Sequence, residues 1–189
     1  MNTTIVLIGP PGAGKTTIAS LLGQRLGQPV VELDVERWAY YAELDYDPLH
    51  AQRLVEDQGL AALVAYWKPF ELHAVERVLA DHRGSIIAFG AGHSVYEDRS
   101  QFERVQHLLA HCQHVILLMP SPDREESIRY LNSRLPTEGP YFEALKQISE
   151  QFVSNHSNYD LATGTVYTQG KTPEETCDDI LRHFAMSTN

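Results

Sequence analysis

Cysteine is nearly absent from this chain, with Cys112 and Cys177 the two in 189 residues. Two thiols so far apart make neither a disulfide framework nor a metal-ligand spacing, so both read as free thiols in a reducing compartment. Basic residues are also scarce. Lys plus Arg number 15 against 25 Asp plus Glu, and the formal net charge is −10. A surface of that sign repels a polyanion, so nucleic acid is not an expected partner. No apolar run reaches the roughly 18 residues a membrane span needs. The first run, Ile5-Val6-Leu7-Ile8, is too short for a signal-peptide core. These absences lead us to expect a cytoplasmic protein with no membrane partner, acting as a monomer or homodimer.

No internal repeat, low-complexity tract or Pro/Gly/Ser linker divides the chain. With 43% hydrophobic residues it can build a core, and its length fits one domain over 1–189. Short apolar runs alternate with longer helix-like segments, the pattern of an α/β fold around a mostly parallel sheet. The expected strands are Thr4–Ile8, Pro29–Leu33, Ser85–Phe89, His114–Met119 and Thr165–Thr168. Lys15 to Leu26 carries Ile18, Leu21, Leu22 and Leu26 on one helical stripe. Thr172, Pro173 and Glu175 form a capping box with proline at the first helical position. Ser121-Pro122 ahead of Asp123 and Glu125 should start an earlier helix, and Pro69 should break or kink the chain between two helices in 48–82.

Chemistry is concentrated at Gly9-Pro10-Pro11-Gly12-Ala13-Gly14-Lys15-Thr16, which matches G-x-x-x-x-G-K-[ST] between an apolar strand and an amphipathic helix. Glycines let the backbone curl so that N–H groups face phosphate oxygens, and the next helix adds its positive end. Gly9, Pro10, Pro11, Gly12, Ala13, Gly14, Lys15, Thr16 and Thr17 are therefore the expected nucleotide-binding residues. Lys15 should reach the β- and γ-phosphates, and the Thr16 hydroxyl should ligate Mg²⁺. The expected cofactors are ATP and Mg²⁺. A guanine-reading N-K-x-D signature is missing, and the strand Ser85–Phe89 runs into Gly90-Ala91-Gly92-His93 instead of an acid. The acids must come from elsewhere. Glu32 and Asp34 sit at the carboxyl end of the second strand, two residues apart and so on one face of a regular strand. Glu32 can then serve the Mg²⁺ shell through water, and Asp34 can position or deprotonate an acceptor hydroxyl.

The P-loop 9–16, the acid step Glu32-Leu33-Asp34 and the loop Gly90-Ala91-Gly92 together resemble the shikimate kinase family of P-loop kinases. The resemblance covers most of the chain. It implies a five-stranded parallel sheet in the order 2-3-1-4-5, an acceptor-binding region near 36–82 and a lid near 121–140. It also implies that Gly90, Ala91 and Gly92 approach the acceptor, that Arg129 stacks on adenine, and that Arg134 clamps phosphates and acts in catalysis with Lys15 and Asp34.

On the acceptor side the chain departs from the family pattern. Glu32 replaces an aspartate, the glycine loop is Gly-Ala-Gly, and Lys68 is the best match for a carboxylate-gripping arginine. A second such arginine finds no counterpart in Asn155-His156-Ser157-Asn158-Tyr159-Asp160. Lysine does not reproduce a planar bidentate donor. The expected activity is ATP- and Mg-dependent phosphoryl transfer to a small-molecule hydroxyl other than that of shikimate. A nucleoside, nucleotide or nucleotide-sugar kinase, and a non-catalytic ATP-binding module, are the alternatives. Lys68, with Trp67 and Glu71, would line the acceptor pocket, and His93 and His156 are further contacts to test. The spacing of His107, His111 and His114 invites a metal reading, but no zinc signature surrounds them.

Overall fold

The computed structural model describes residues 3–135 and 142–186. Five parallel strands form one sheet: β1 (Ile5–Ile8), β2 (Val30–Glu32), β3 (Ile86–Ala88), β4 (His114–Met119) and β5 (Gly164–Tyr167). Their spatial order is β2-β3-β1-β4-β5, as the family resemblance implied. Register is in step across the centre, with Leu7 paired to Ala88 on one side and to Ile116 on the other. Parallel strands need covered crossovers, and the helices supply the cover: α1 (Lys15–Leu26), α2 (Leu33–Ala42), α3 (Pro48–Gln58), α4 (Leu60–Asp81), α5 (Arg99–Leu109), α6 (Arg124–Asn132), α7 (Phe142–Ser154), α8 (His156–Leu161) and α9 (Pro173–Met186).

Alternation along the strands sends side chains to two cores. Ile5, Leu7, Ile86, Ile116 and Leu118 pack with Ile18, Leu22 and Ile180 of α1 and α9. Val6, Ile8, Ile87, Val115 and Leu117 pack with Phe70, Val75 and Val78 of α4 and Val105 of α5. Every residue of β1 and β4 is buried, which is why both read as unbroken apolar runs.

Two expectations need correction. Pro69 does not break the chain, because α4 runs unbroken over 22 residues. The helical division falls earlier, at Gly59, whose φ of 84° and ψ of 179° no L-residue adopts readily. Proline costs α4 one backbone hydrogen bond, and burial of Phe70, Ala74, Val75 and Val78 just beyond it offsets that loss. The second strand ends at Glu32, so Leu33 and Asp34 belong to the first turn of α2, not to a strand. The start of α6 differs in a smaller way: Asp123 is the cap, accepting from the Glu126 N–H, and the Ser121 hydroxyl accepts from Asp123. Thr172 and Glu175 do exchange both hydrogen bonds of a capping box. Of the lid expected near 121–140, residues 136–140 lie outside the described residues.

Among the described residues no helix is long and apolar enough to cross a membrane.

Candidate active site

The loop between β1 and α1 owes its shape to three glycines with positive φ: Gly9 at 139°, Gly12 at 77° and Gly14 at 92°. At Gly9 there is a second constraint, since a Cβ would strike the Leu118 carbonyl oxygen of the neighbouring strand. Gly14 precedes α1 without a side-chain cap, so the first N–H groups of the helix stay free for a ligand. Lys15 is buried in the hollow of this loop, and its Nζ donates to the carbonyls of Gly9 at 2.8 Å and Pro10 at 2.9 Å. Burial pulls its pKa down to about 8, and the nearby Asp34 carboxylate opposes that shift in part.

The loop forms one wall of a cavity of about 730 Å³. Pro11, Gly12, Gly14, Lys15, Thr16 and Thr17 line that wall, and Arg134 joins them from beyond α6. Across the cavity stand Glu32, Asp34 and Arg37 from the β2–α2 junction, Trp67 and Glu71 from α4, and Ala91 and Gly92 from the 3₁₀ turn Ala91–Ser94. An apolar flank of Leu60, Leu63, Val64, Leu145, Ile148 and Phe152 completes it. The cavity lies at the carboxyl ends of the strands, where open parallel sheets place their ligand crevice. Asp34 reaches it from a helical first turn, which still directs it toward Lys15.

Gly90 and Gly92 have ordinary backbone angles, and their lack of a side chain serves a different end. A Cβ on Gly90 would collide with an Asp34 carboxylate oxygen, and one on Gly92 with the Glu71 carboxylate. Both glycines therefore make room for an acid. Gly90 does not itself line the cavity, whereas Ala91 and Gly92 do.

Lys68 is placed differently from the expectation of a free cation at the acceptor. It does not line the cavity. Its Nζ donates to Glu71 Oε2 at 2.6 Å and to the carbonyls of Gly92 at 2.9 Å and Val95 at 2.8 Å. All three ammonium protons are thus engaged. Glu71 is buried, which pushes its carboxyl pKa up, and Lys68 works against that rise. The pair fastens α4 to the glycine turn.

The cation that does face the acceptor wall is Arg37, which the sequence reading passed over. Its Nη1 stands 3.3 Å from Asp34 Oδ1, and its guanidinium lies 4.4 Å from the Trp38 ring centroid and 5.1 Å from that of Trp67. Arg37 Nε is buried with no hydrogen-bond partner. The signal was present in sequence: with Asp34 in a helical first turn, Arg37 follows at i+3 on the same face.

Arg134 donates from Nη1 to the Gly12 carbonyl at 3.4 Å and lies over the Tyr130 ring at 4.8 Å. Arg129 points elsewhere, 3.7 Å from Glu125 Oε2 with its side chain 69% exposed, and lines neither the main cavity nor its neighbour. That neighbour, about 240 Å³, is lined by Ala13, Gly14, Thr17, Tyr130, Thr168 and Lys171, with Arg134 between the two. His93 is fully buried with neither ring nitrogen paired, and burial, then the Arg37 and Lys68 charges, pull its pKa down to about 3. His156 pairs with Asp160 at 2.9 Å, outside the main cavity. His114 stacks on Phe184 at 3.9 Å. Among the described residues no cluster of three or more His, Cys, Asp or Glu side chains is placed to hold a metal.

A P-loop, a buried lysine and a carboxylate brought together at the strand ends define a P-loop phosphotransferase site. The family follows from comparison. The shikimate kinase family model matches residues 11–185. The shikimate kinase of Streptomyces coelicolor is 34% identical over 179 residues, covering 90% of this chain and 89% of the relative. The chain belongs to the shikimate kinase family and is a P-loop kinase, a phosphotransferase with an alcohol group as acceptor. Solved structures agree on the fold: Acinetobacter baumannii shikimate kinase in complex with shikimate has a TM-score of 0.65 at 17% identity, covering 98% of this chain and 94% of that one. A Sinorhizobium meliloti gluconokinase gives 0.61 at 15% identity, covering 97% and 92%.

Proposed function

We propose that this kinase transfers the γ-phosphoryl group of ATP, with Mg²⁺, to a hydroxyl of a small molecule other than shikimate. The observation that carries this reading is the meeting of Lys15 and Asp34 across one cavity, from segments that the fold alone brings together. The residues suit the nucleotide: free helix N–H groups, a buried ammonium and the Thr16 hydroxyl form an anion cradle with one hard oxygen donor. Thr16 and, through water, Glu32 would hold the metal, whose chemistry when bound is neutralisation of phosphate charge.

Lys15 leaves its two loop carbonyls and follows charge onto the transferring group. Arg134, already between the two cavities, clamps phosphate oxygens. Asp34, held by Arg37, accepts or orients the acceptor hydroxyl's proton for in-line attack. Gly90 and Gly92 allow Asp34 and Glu71 to sit close to that turn. Residues 36–82 form the acceptor region in this reading, and the lid expected near 121–140, of which 136–140 lie outside the described residues, would exclude water that otherwise takes the phosphoryl group. Arg129, exposed on α6, would have to reach adenine through that closure.

The acceptor wall speaks against shikimate, because Lys68 has no free donor and the stretch Asn155-His156-Ser157-Asn158-Tyr159-Asp160 holds no arginine to match the family's second one. The test is ³¹P NMR with Mg-ATP and a panel of shikimate, sugars, polyols, nucleosides and nucleotides. A new phosphoester signal with an acceptor other than shikimate is expected, lost in Asp34→Asn while ATP still raises Tm. Efficient phosphorylation of shikimate, or unchanged turnover in Asp34→Asn, would overturn the reading.

A further inference from the structure

The charges around the acceptor wall are paired off. Arg37 faces Asp34, and Lys68 faces Glu71 with its other two donors on backbone carbonyls. Glu32 adds a further acid with no cation of its own on that wall. With Lys15 and Arg134 given to the phosphates of ATP, two cations remain for three acids. A carboxylate or phosphate on the acceptor would have to compete with Asp34 for Arg37 and would sit beside that acid, like charge against like, which disfavours it.

The rest of the wall is apolar. Leu60, Leu63, Val64, Trp67, Ile148 and Phe152 surround the charged corner. A second cavity of about 420 Å³ shares Val64, Ile148 and Phe152 with the first, but its far side is polar, with Lys68, Glu97, Asp98 and Gln101, so the apolar surface for an acceptor is that of the first cavity. At the corner, the Arg37 guanidinium lines the cavity as a donor, and Asp34, with its side chain 61% exposed, offers acceptor oxygens. One donor beside one acceptor matches a hydroxyl group, which both gives and receives.

We infer that the acceptor is an uncharged alcohol with an apolar body, and that the Arg37–Asp34 pair selects it against hydroxy acids. This rests on the phosphotransferase reading above for the reaction, but the selection itself is a property of binding. Arg37 is thus a specificity-determining residue.

The test uses matched probes that differ in charge: methyl shikimate against shikimate, and 3-phenylpropane-1,2-diol against 3-phenyllactate. Binding is measured by titration calorimetry on the full chain saturated with Mg²⁺ and a non-hydrolysable ATP analogue. Transfer is followed separately by ³¹P NMR with Mg-ATP. The uncharged member of each pair should bind at least about tenfold tighter, a difference of about 1.4 kcal/mol. Asp34→Asn frees Arg37 and should reverse the order, tightening the carboxylates by a similar factor. Tighter carboxylate binding in the wild type, abolished in Arg37→Met, would make Arg37 a carboxylate clamp and overturn the inference. Failure of both uncharged probes to bind would overturn it as well. Binding of the uncharged probes without phosphate gain leaves the selection standing and counts against the reaction instead; phosphorylation of the carboxylates alone does the opposite.

Discussion

The P-loop side of the cavity comes mainly from the short stretch 11–17, whereas the opposite side draws on 32–37, 67–71 and 88–92, joined only by folding. The first side is held by its own backbone: positive-φ glycines and a lysine bonded to carbonyls five and six residues back. The second is held by contacts between distant segments, with Lys68 bridging 24 and 27 residues along the chain to the glycine turn. A site written in contiguous sequence changes little without breaking its motif. One assembled from separate helices can exchange its cations one at a time, and here the cation that lines the cavity comes from α2, whereas that of α4 is tied to Glu71 and the glycine turn.

This contrast can be tested by striking each side in turn. Lys15→Met should have the largest effect, lowering kcat for phosphoryl transfer by at least about 10²–10³-fold with the fold retained, because it removes charge stabilisation from the transferring group while the positive-φ glycines still shape the loop. On the acceptor side the same kind of change should strike the fold. Lys68→Met leaves Glu71 buried and unpaired and should cost about 3 kcal/mol in denaturant unfolding. The double variant Lys68→Met/Glu71→Met should recover much of that. Equal losses in single and double variants would remove the ion pair from the account. Gly92→Ala comes next, since its Cβ must displace the Glu71 carboxylate. It should cost about 1–3 kcal/mol of stability and raise KM for the acceptor more than for ATP.

The last effect is electrostatic. Burial pulls the Lys15 pKa down to about 8 in the folded chain against 10.5 for an unperturbed side chain, so between those values the unfolded chain binds more protons. Stability of the nucleotide-free protein should therefore rise with pH across that window by roughly 3 kcal/mol relative to Lys15→Met, and the difference should vanish with Mg-ATP, whose phosphates favour the ammonium. A rise of the same size in Lys15→Met would assign it to other groups.

Much of this was legible before folding. β1 and β4 announced themselves as apolar runs because both their faces are covered, and the P-loop could be read because backbone curvature needs glycine at fixed positions. Asp34 was found with the wrong local structure, since three residues of β2 carry too little pattern to show where strand gives way to helix. That one-turn error hid Arg37. Pro69 misled for a related reason: a local rule met a helix whose buried face outweighs one missing hydrogen bond. Lys68 was located, but nothing in its neighbours revealed that the glycine turn would take up its donors.

By itself, then, the sequence determined the parallel α/β architecture, the glycine-shaped loop ahead of Lys15 and the identity of the acid that shares its cavity. These depend on periodicity and on backbone conformations that few residue types allow. Only the tertiary structure decided which cation lines the cavity and which is tied away from it, because the donors of Lys68 are taken up by carbonyls of Gly92 and Val95, 24 and 27 residues along the chain. Charge pairing in a cavity is a matter of ångströms between such segments, and spacing along a sequence does not encode it.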